Sequence, residues 1–139
     1  MMAKWKARKK GYDEIILTDS EGYVTEAPTS NVFIVDQGGV LRTAHKDEVL
    51  HGITRMSIIE IAEDEQIEMN IGRIPLRELE EAREVFITSS SHLVRPVNSL
   101  DGKPVGNGEV GKTTLILKNR FLRITAGKDN KFNKWLCPV

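Results

Sequence analysis

Gly52-Ile-Thr54 stands directly before an apolar-periodic run, and its residue types are those that bind an anion. A helix opening there offers unpaired backbone N–H groups and the positive end of its dipole, and the Thr54 hydroxyl adds a donor. Taken alone, a glycine before Ile-Thr at a helix start is more often only a turn with a first-turn hydroxyl. A second hydroxyl cluster, Ser89-Ser-Ser91, ends the apolar run Glu84-Val-Phe-Ile-Thr88. A serine hydrolase would need a Gly-x-Ser-x-Gly elbow, which is missing, and only His45, His51 and His92 could act as bases. A polar loop after a core strand and a set of anion donors both remain open for these serines. Glu26 lies between a short extended run and a turn, where a lone carboxylate reads as a solvated surface acid. Gly106-Asn-Gly-Glu-Val-Gly-Lys-Thr113 matches the nucleotide-binding pattern of a glycine, four residues and Gly-Lys-Thr at every fixed position. Such a loop must follow a buried strand and open a helix within a parallel sheet. Here it follows the turn-rich Asp101-Gly-Lys-Pro104, and only a helix and a tail remain after it, so the match argues weakly for nucleotide binding.

Composition narrows the class of partner. The chain has 139 residues, 40% of them hydrophobic, which suits one core and is short for two domains of common size. Twenty basic and twenty acidic residues leave no net charge, and nothing in their distribution demands nucleic acid or an anionic membrane. No apolar run reaches the roughly 18 residues that a membrane span needs, and the basic N-terminus lacks a signal peptide's apolar core. The expectation is a soluble, cytoplasmic protein. The single cysteine, Cys137, has no partner for an internal disulfide and reads as an inert thiol, and the three histidines show no metal-ligand spacing.

The elements that must position these residues follow from pattern. Met2 to Lys10 is rich in helix formers and stops at Gly11. Glu14–Thr18 and Tyr23–Thr25 read as two antiparallel strands joined by the turn Asp19-Ser-Glu-Gly22. Asn31–Asp36, the turn Gln37-Gly-Gly39 and Val40–Thr43 make a hairpin. Ile53 to about Glu65 predicts a helix whose buried face is Ile53, Met56, Ile58, Ile59, Ile61 and Ala62. Ile67–Ile71 is a strand, Leu76–Ala82 a short acidic helix, Glu84–Thr88 a buried strand and Leu93–Val97 its continuation after the serines. Asp101-Gly102 is a turn, and Thr113–Thr125 is a helix presenting Leu115, Ile116, Phe121, Leu122 and Ile124. Glu78–Glu84, with Arg77 and Arg83 interspersed, is most simply a solvated face with local ion pairs. This mixture of hairpins and helices is an α/β (mixed α+β) domain with an antiparallel-rich sheet, not a doubly wound parallel one.

In their order, Gly11-Tyr-Asp-Glu14, Gly22-Tyr-Val-Thr-Glu-Ala-Pro-Thr-Ser-Asn-Val-Phe33, Leu50-His-Gly-Ile-Thr-Arg55 and the strand-end serines resemble the class IV (fold type IV) pyridoxal-phosphate aminotransferases. That family includes the branched-chain and D-amino-acid aminotransferases, with aminodeoxychorismate lyase among their relatives. The resemblance covers nearly the whole chain and implies the C-terminal, cofactor-bearing domain of the D-amino-acid aminotransferase-like fold, normally a homodimer completed by a smaller N-terminal domain. It implies pyridoxal 5'-phosphate as cofactor and an amino acid and a 2-oxo acid as substrates. The backbone of Ile53, the Thr54 hydroxyl and donors at Ser89 and Ser90 would hold the phosphate. Leu50 would pack on the pyridine ring, Glu26 would pair with the ring nitrogen and keep it protonated, and groups near Ser90 and Ser91 would approach the substrate carboxylate. The family's Schiff-base lysine would fall before Met1, since Lys4, Lys6, Lys9 and Lys10 do not match its position, so the chain by itself is expected to be inactive. A glycine-rich turn like Gly106–Gly111 also precedes the family's last helix. Departures are His51 for a common proline, Ala27-Pro28 for Gly-Ser or Gly-Ala, and Arg95 for a small polar residue. A lyase of the same fold and a non-catalytic binding domain are the alternatives.

Overall fold

None of the six residues of Ser30-Asn-Val-Phe-Ile-Val35 is exposed, and a strand buried on both faces belongs in the middle of a covered sheet. The computed structural model describes residues 16–27, 30–44, 53–89 and 93–127, apart from the side chains of Glu26 and Ile53. The described elements are β1 (Glu26–Ala27), β2 (Ser30–Val35), β3 (Leu41–Thr43), α1 (Ile53–Asp64), β4 (Met69–Ile71), α2 (Leu76–Glu80), β5 (Glu84–Ser89), β6 (Leu93–Pro96), β7 (Ser99–Leu100), β8 (Lys103–Pro104) and α3 (Lys112–Thr125). The main sheet runs β4-β3-β2-β5-β6, with β1 also paired to β2, and β7 and β8 form a separate hairpin. Every pair is antiparallel except β3 with β4, which are parallel because α1 crosses between them. The fold is therefore the mixed, antiparallel-rich α/β arrangement that the residue pattern predicts.

Alternation along β2 and β5 splits the core in two. Phe33, Val35 and Phe86 face Ile58, Ile61 and Ala62 of α1 and Leu117, Phe121 and Ile124 of α3. The Phe33 and Phe86 rings stack with centroids 4.9 Å apart and planes 3° from parallel. Val32, Ile34, Val85 and Ile87 point the other way, onto Val24, Ile74, Leu79, Ala82 and Val105. Period-two side-chain alternation thus supplies two apolar layers from strands that read as continuous apolar runs.

Several expectations are corrected. α3 turns Thr114, Leu117, Phe121 and Ile124 inward, whereas Leu115 and Leu122 are 47% and 42% exposed. The inward set advances by three or four residues, and Leu115 and Leu122 lie about 100° off that stripe. Met56 is likewise 54% exposed on α1, while Thr54 and Arg55 are buried. Of the antiparallel pair expected before β1, Glu14 and Ile15 lie outside the described residues; the rest pairs through an antiparallel bridge of Thr18 to Val24 and the Thr25 amide donating to the Leu17 carbonyl at 2.9 Å, while Tyr23 bridges to Pro75. The turn between Thr18 and Val24 is held by the Asp19 carboxylate, which accepts from the Glu21 and Tyr23 amides at 2.9 and 3.0 Å. The helix over Met2–Lys10 and its stop at Gly11, together with His45, His51, His92, Trp135, Leu136 and Cys137, lie outside the described residues.

The acidic stretch before β5 is not wholly a solvated face. Glu78 pairs with Arg42 of β3. The Glu84 carboxylate reaches the start of α3, accepting from the Thr114 amide at 2.7 Å, the Thr114 hydroxyl at 2.8 Å and the Thr113 amide at 3.3 Å. A carboxylate at a helix N-terminus satisfies orphan N–H groups and complements the dipole. Gly111 makes room for it, since a Cβ at that position would lie 2.0 Å from the Glu84 Cδ.

Candidate functional site

β5 ends at Ser89 and α1 begins at Ile53, and the two ends meet: the Thr54 hydroxyl donates to the Ser89 carbonyl at 3.4 Å. That is long for an O–H donor, whose bonds cluster at 2.5–3.0 Å, so the hydroxyl is under-used in this arrangement. Both residues are buried, Thr54 at 7% and Ser89 at 8% exposure. Next to Ser89 in β5, Thr88 is 1% exposed, and its hydroxyl has no partner among the described residues. Ser30, at the start of the adjoining β2, is buried, with its hydroxyl likewise unpaired among the described residues. Buried hydroxyls without partners are costly and call for an explanation, of which a ligand is one.

Backbone register connects this end of the sheet to Glu26. Glu26 in β1 stands opposite Asn31 in β2, and Asn31 stands opposite Thr88 in β5. Among the sequence-predicted residues, Thr54 and Ser89 are thus brought into contact, and Glu26 lies in the same cross-strand row as Thr88. Ile53 opens α1 through its backbone, and Leu50, Ser90 and Ser91 lie outside the described residues.

Three residues join this neighbourhood that sequence reasoning did not single out: Thr88, Ser30 and Arg55. Thr88 carried a signal, being a polar residue inside an otherwise apolar strand. Arg55 carried another, being a cation in a helix's first turn, where the dipole disfavours it. It is 4% exposed, and one terminal guanidinium nitrogen donates to the Ala44 carbonyl at 2.8 Å. Burial lowers its pKa from the ordinary arginine value. The first turn of α1 contains no acid.

The nucleotide-loop match at Gly106–Thr113 takes a different form. It follows the two-residue antiparallel β8, and the amides of Thr113 and Thr114 already serve Glu84. A fixed carboxylate on those donors repels a phosphate. Gly106 is needed for backbone reasons, with φ +55° and a Cβ position only 2.6 Å from the Arg83 carbonyl oxygen. Among the described residues no group of three or more His, Cys, Asp or Glu could hold a metal, and no helix is long and apolar enough to cross a membrane.

Buried hydroxyls thus gather at the meeting point of a strand end and a helix start, in an α/β domain whose mixed sheet is flanked by helices. The chain belongs to the amino-transferase class IV family, whose model matches residues 1–100. It is 37% identical over 139 residues to a probable branched-chain-amino-acid aminotransferase of Aquifex aeolicus, covering 99% of this chain and 45% of that protein. The T.th. branched-chain amino acid aminotransferase solved with pyridoxamine 5'-phosphate superimposes with a TM-score of 0.93 at 37% identity, over 98% of this chain and 45% of that one. The branched-chain aminotransferase of Thermoproteus uzoniensis, solved with norvaline, gives 0.92 at 37% identity over 99% and 45%. The chain thus spans about 45% of the length of the relatives it matches.

Proposed function

We propose that this chain is the C-terminal, cofactor-binding part of a pyridoxal-phosphate-dependent branched-chain aminotransferase, moving an amino group between an amino acid and a 2-oxo acid. The observation that carries the reading is the meeting of Thr54 with Ser89 beside the unpaired, buried Thr88 hydroxyl. These residues fit a phosphate: the start of α1 is free of acids, one hydroxyl is weakly engaged and others are unsatisfied. The names of the relatives favour branched-chain substrates over D-amino acids or a lyase reaction.

When bound, pyridoxal phosphate supplies an electrophilic aldehyde and an electron-accepting ring. In this reading the Ile53 backbone N–H and the Thr54 hydroxyl bind the phosphate, with Ser89 and Ser90 closing its other side. Leu50 covers the ring, Glu26 holds a proton on the ring nitrogen, and the backbone near Ser90 and Ser91 orients the substrate carboxylate. The lysine that holds the cofactor and moves the substrate proton comes from outside this chain. The described lysines, Lys103, Lys112 and Lys118, stand on β8 and α3, and Lys112 lies at the Glu84 end of β5, opposite to Ser89. Assembly as a homodimer belongs to the same reading, and sedimentation would test it.

The test is titration of the purified chain with pyridoxal phosphate and with pyridoxal, followed by borohydride and intact mass. Saturable binding that prefers the phosphorylated form, without a single modified lysine, supports the reading. Absence of saturable binding refutes it. A single modified lysine whose spectrum responds to an amino acid would place the missing lysine within the chain.

A further inference from the structure

Arg55 is a buried cation with no counter-charge among the described residues. It is 4% exposed, its one hydrogen bond is to a neutral carbonyl, Ala44, and its Nε has no partner among the described residues. No carboxylate pairs with it there, and the cause of its lowered pKa is desolvation alone. It also sits in the first turn of α1, where the helix dipole adds positive potential and no acidic side chain offsets it. A buried charge of this kind is expensive, and an apolar side chain of similar volume would fill the space at lower cost. Its Cα is one peptide from that of Thr54, whose hydroxyl, among the described residues, makes one 3.4 Å contact, with the Ser89 carbonyl. Guanidinium charge, helix dipole and under-used hydroxyls all favour one species, a compact anion carrying more than one charge.

We infer that Arg55 is an electrostatic positioning residue for the phosphate of the cofactor: its buried positive charge, held in place by the Ala44 carbonyl, meets a counter-charge in a phosphate monoester at the start of α1. This rests on the reading of the chain as a pyridoxal-phosphate protein and adds to it a residue acting through its field. The charge is present before the ligand arrives and costs no reorganisation on binding. The inference gives the arginine of the Gly-Ile-Thr-Arg segment a role in affinity for the phosphate, distinct from any role in holding the helix.

The experiment compares the parent chain with Arg55→Met and Arg55→Lys, measuring the dissociation constants of pyridoxal phosphate and pyridoxal, together with the melting temperature of each protein without ligand. The ratio of the two constants isolates the phosphate contribution. Arg55→Met should reduce that ratio roughly ten- to a hundredfold, the range expected for losing one charge-assisted interaction, without lowering the ligand-free melting temperature. Arg55→Lys, which keeps the charge, should recover most of the ratio. An unchanged ratio in Arg55→Met overturns the inference while leaving the cofactor reading intact, whereas failure of the parent chain to bind pyridoxal phosphate overturns that reading first. Should Arg55→Met fail to fold, Arg55→Gln, which removes the charge and keeps an amide donor for the Ala44 carbonyl, takes its place, and an unchanged ratio there refutes the inference.

Discussion

Removing the Glu84 carboxylate tests why α3 begins where it does. In Glu84→Ala, the Thr113 and Thr114 amides and the Thr114 hydroxyl lose their acceptor, and Thr114 is 1% exposed, so water does not readily replace it. Loss of a helix cap costs about 0.5–2 kcal/mol, and a buried donor left unpaired adds about 1–3 kcal/mol. A total near 3 kcal/mol is expected, read as a fall in urea midpoint at constant m-value. Gly111→Ala attacks the same contact from the other side, because its Cβ would lie 2.0 Å from the Glu84 Cδ and the carboxylate must leave the cap. Its cost should therefore approach that of Glu84→Ala. The double variant discriminates: once Glu84 is truncated, the three atoms nearest the alanine Cβ at 111 are gone, so the pair should lie within about 1 kcal/mol of Glu84→Ala alone. Additive losses, or a silent Gly111→Ala, would refute the account. The same geometry predicts that Lys112→Ala leaves the chain as it was toward magnesium and ATP, with no binding by either protein. Tight, magnesium-dependent binding lost in Lys112→Ala would restore the nucleotide-loop reading.

Phe86→Ala removes one of two stacked rings at the centre of the sheet, and should cost about 3–5 kcal/mol, visible by calorimetry as a large fall in melting temperature. Thr54→Val keeps the shape and discards the hydroxyl; because the present bond is 3.4 Å long, stability should change little while affinity for pyridoxal phosphate falls about tenfold or more. Thr88→Val replaces a buried, unpaired hydroxyl with an isostere, and the ligand-free chain should gain rather than lose stability, by about 1 kcal/mol in chemical denaturation. Glu26→Gln, in a protein that also carries the cofactor-holding lysine, should lower transamination far more than cofactor retention; equal single-turnover rates in mutant and parent would remove Glu26 from the ring nitrogen.

Local chemistry alone determined much of this chain. Strands rich in Val, Ile and Phe, the Asp36-Gln-Gly-Gly39 turn and the start of α1 at Ile53 are properties of neighbouring residues, and each was legible because backbone preference and side-chain period agree within a few positions. Motif order likewise carried the family and the roles expected of Thr54 and Ser89. Tertiary structure decided what depends on residues distant in the chain. Which side of α3 faces inward was set by the sheet it packs on, so Leu115 and Leu122 stayed outside although they are as apolar as Leu117. Glu84, 29 residues before Thr113, became a helix cap only because β5 begins beside α3, and that contact turned an apparent nucleotide loop into a closed helix start. Arg55 looked like any first-turn arginine until packing buried it, with no acid beside it among the described residues. Burial and partnership are properties of the assembled core, and no window of neighbouring residues contains them.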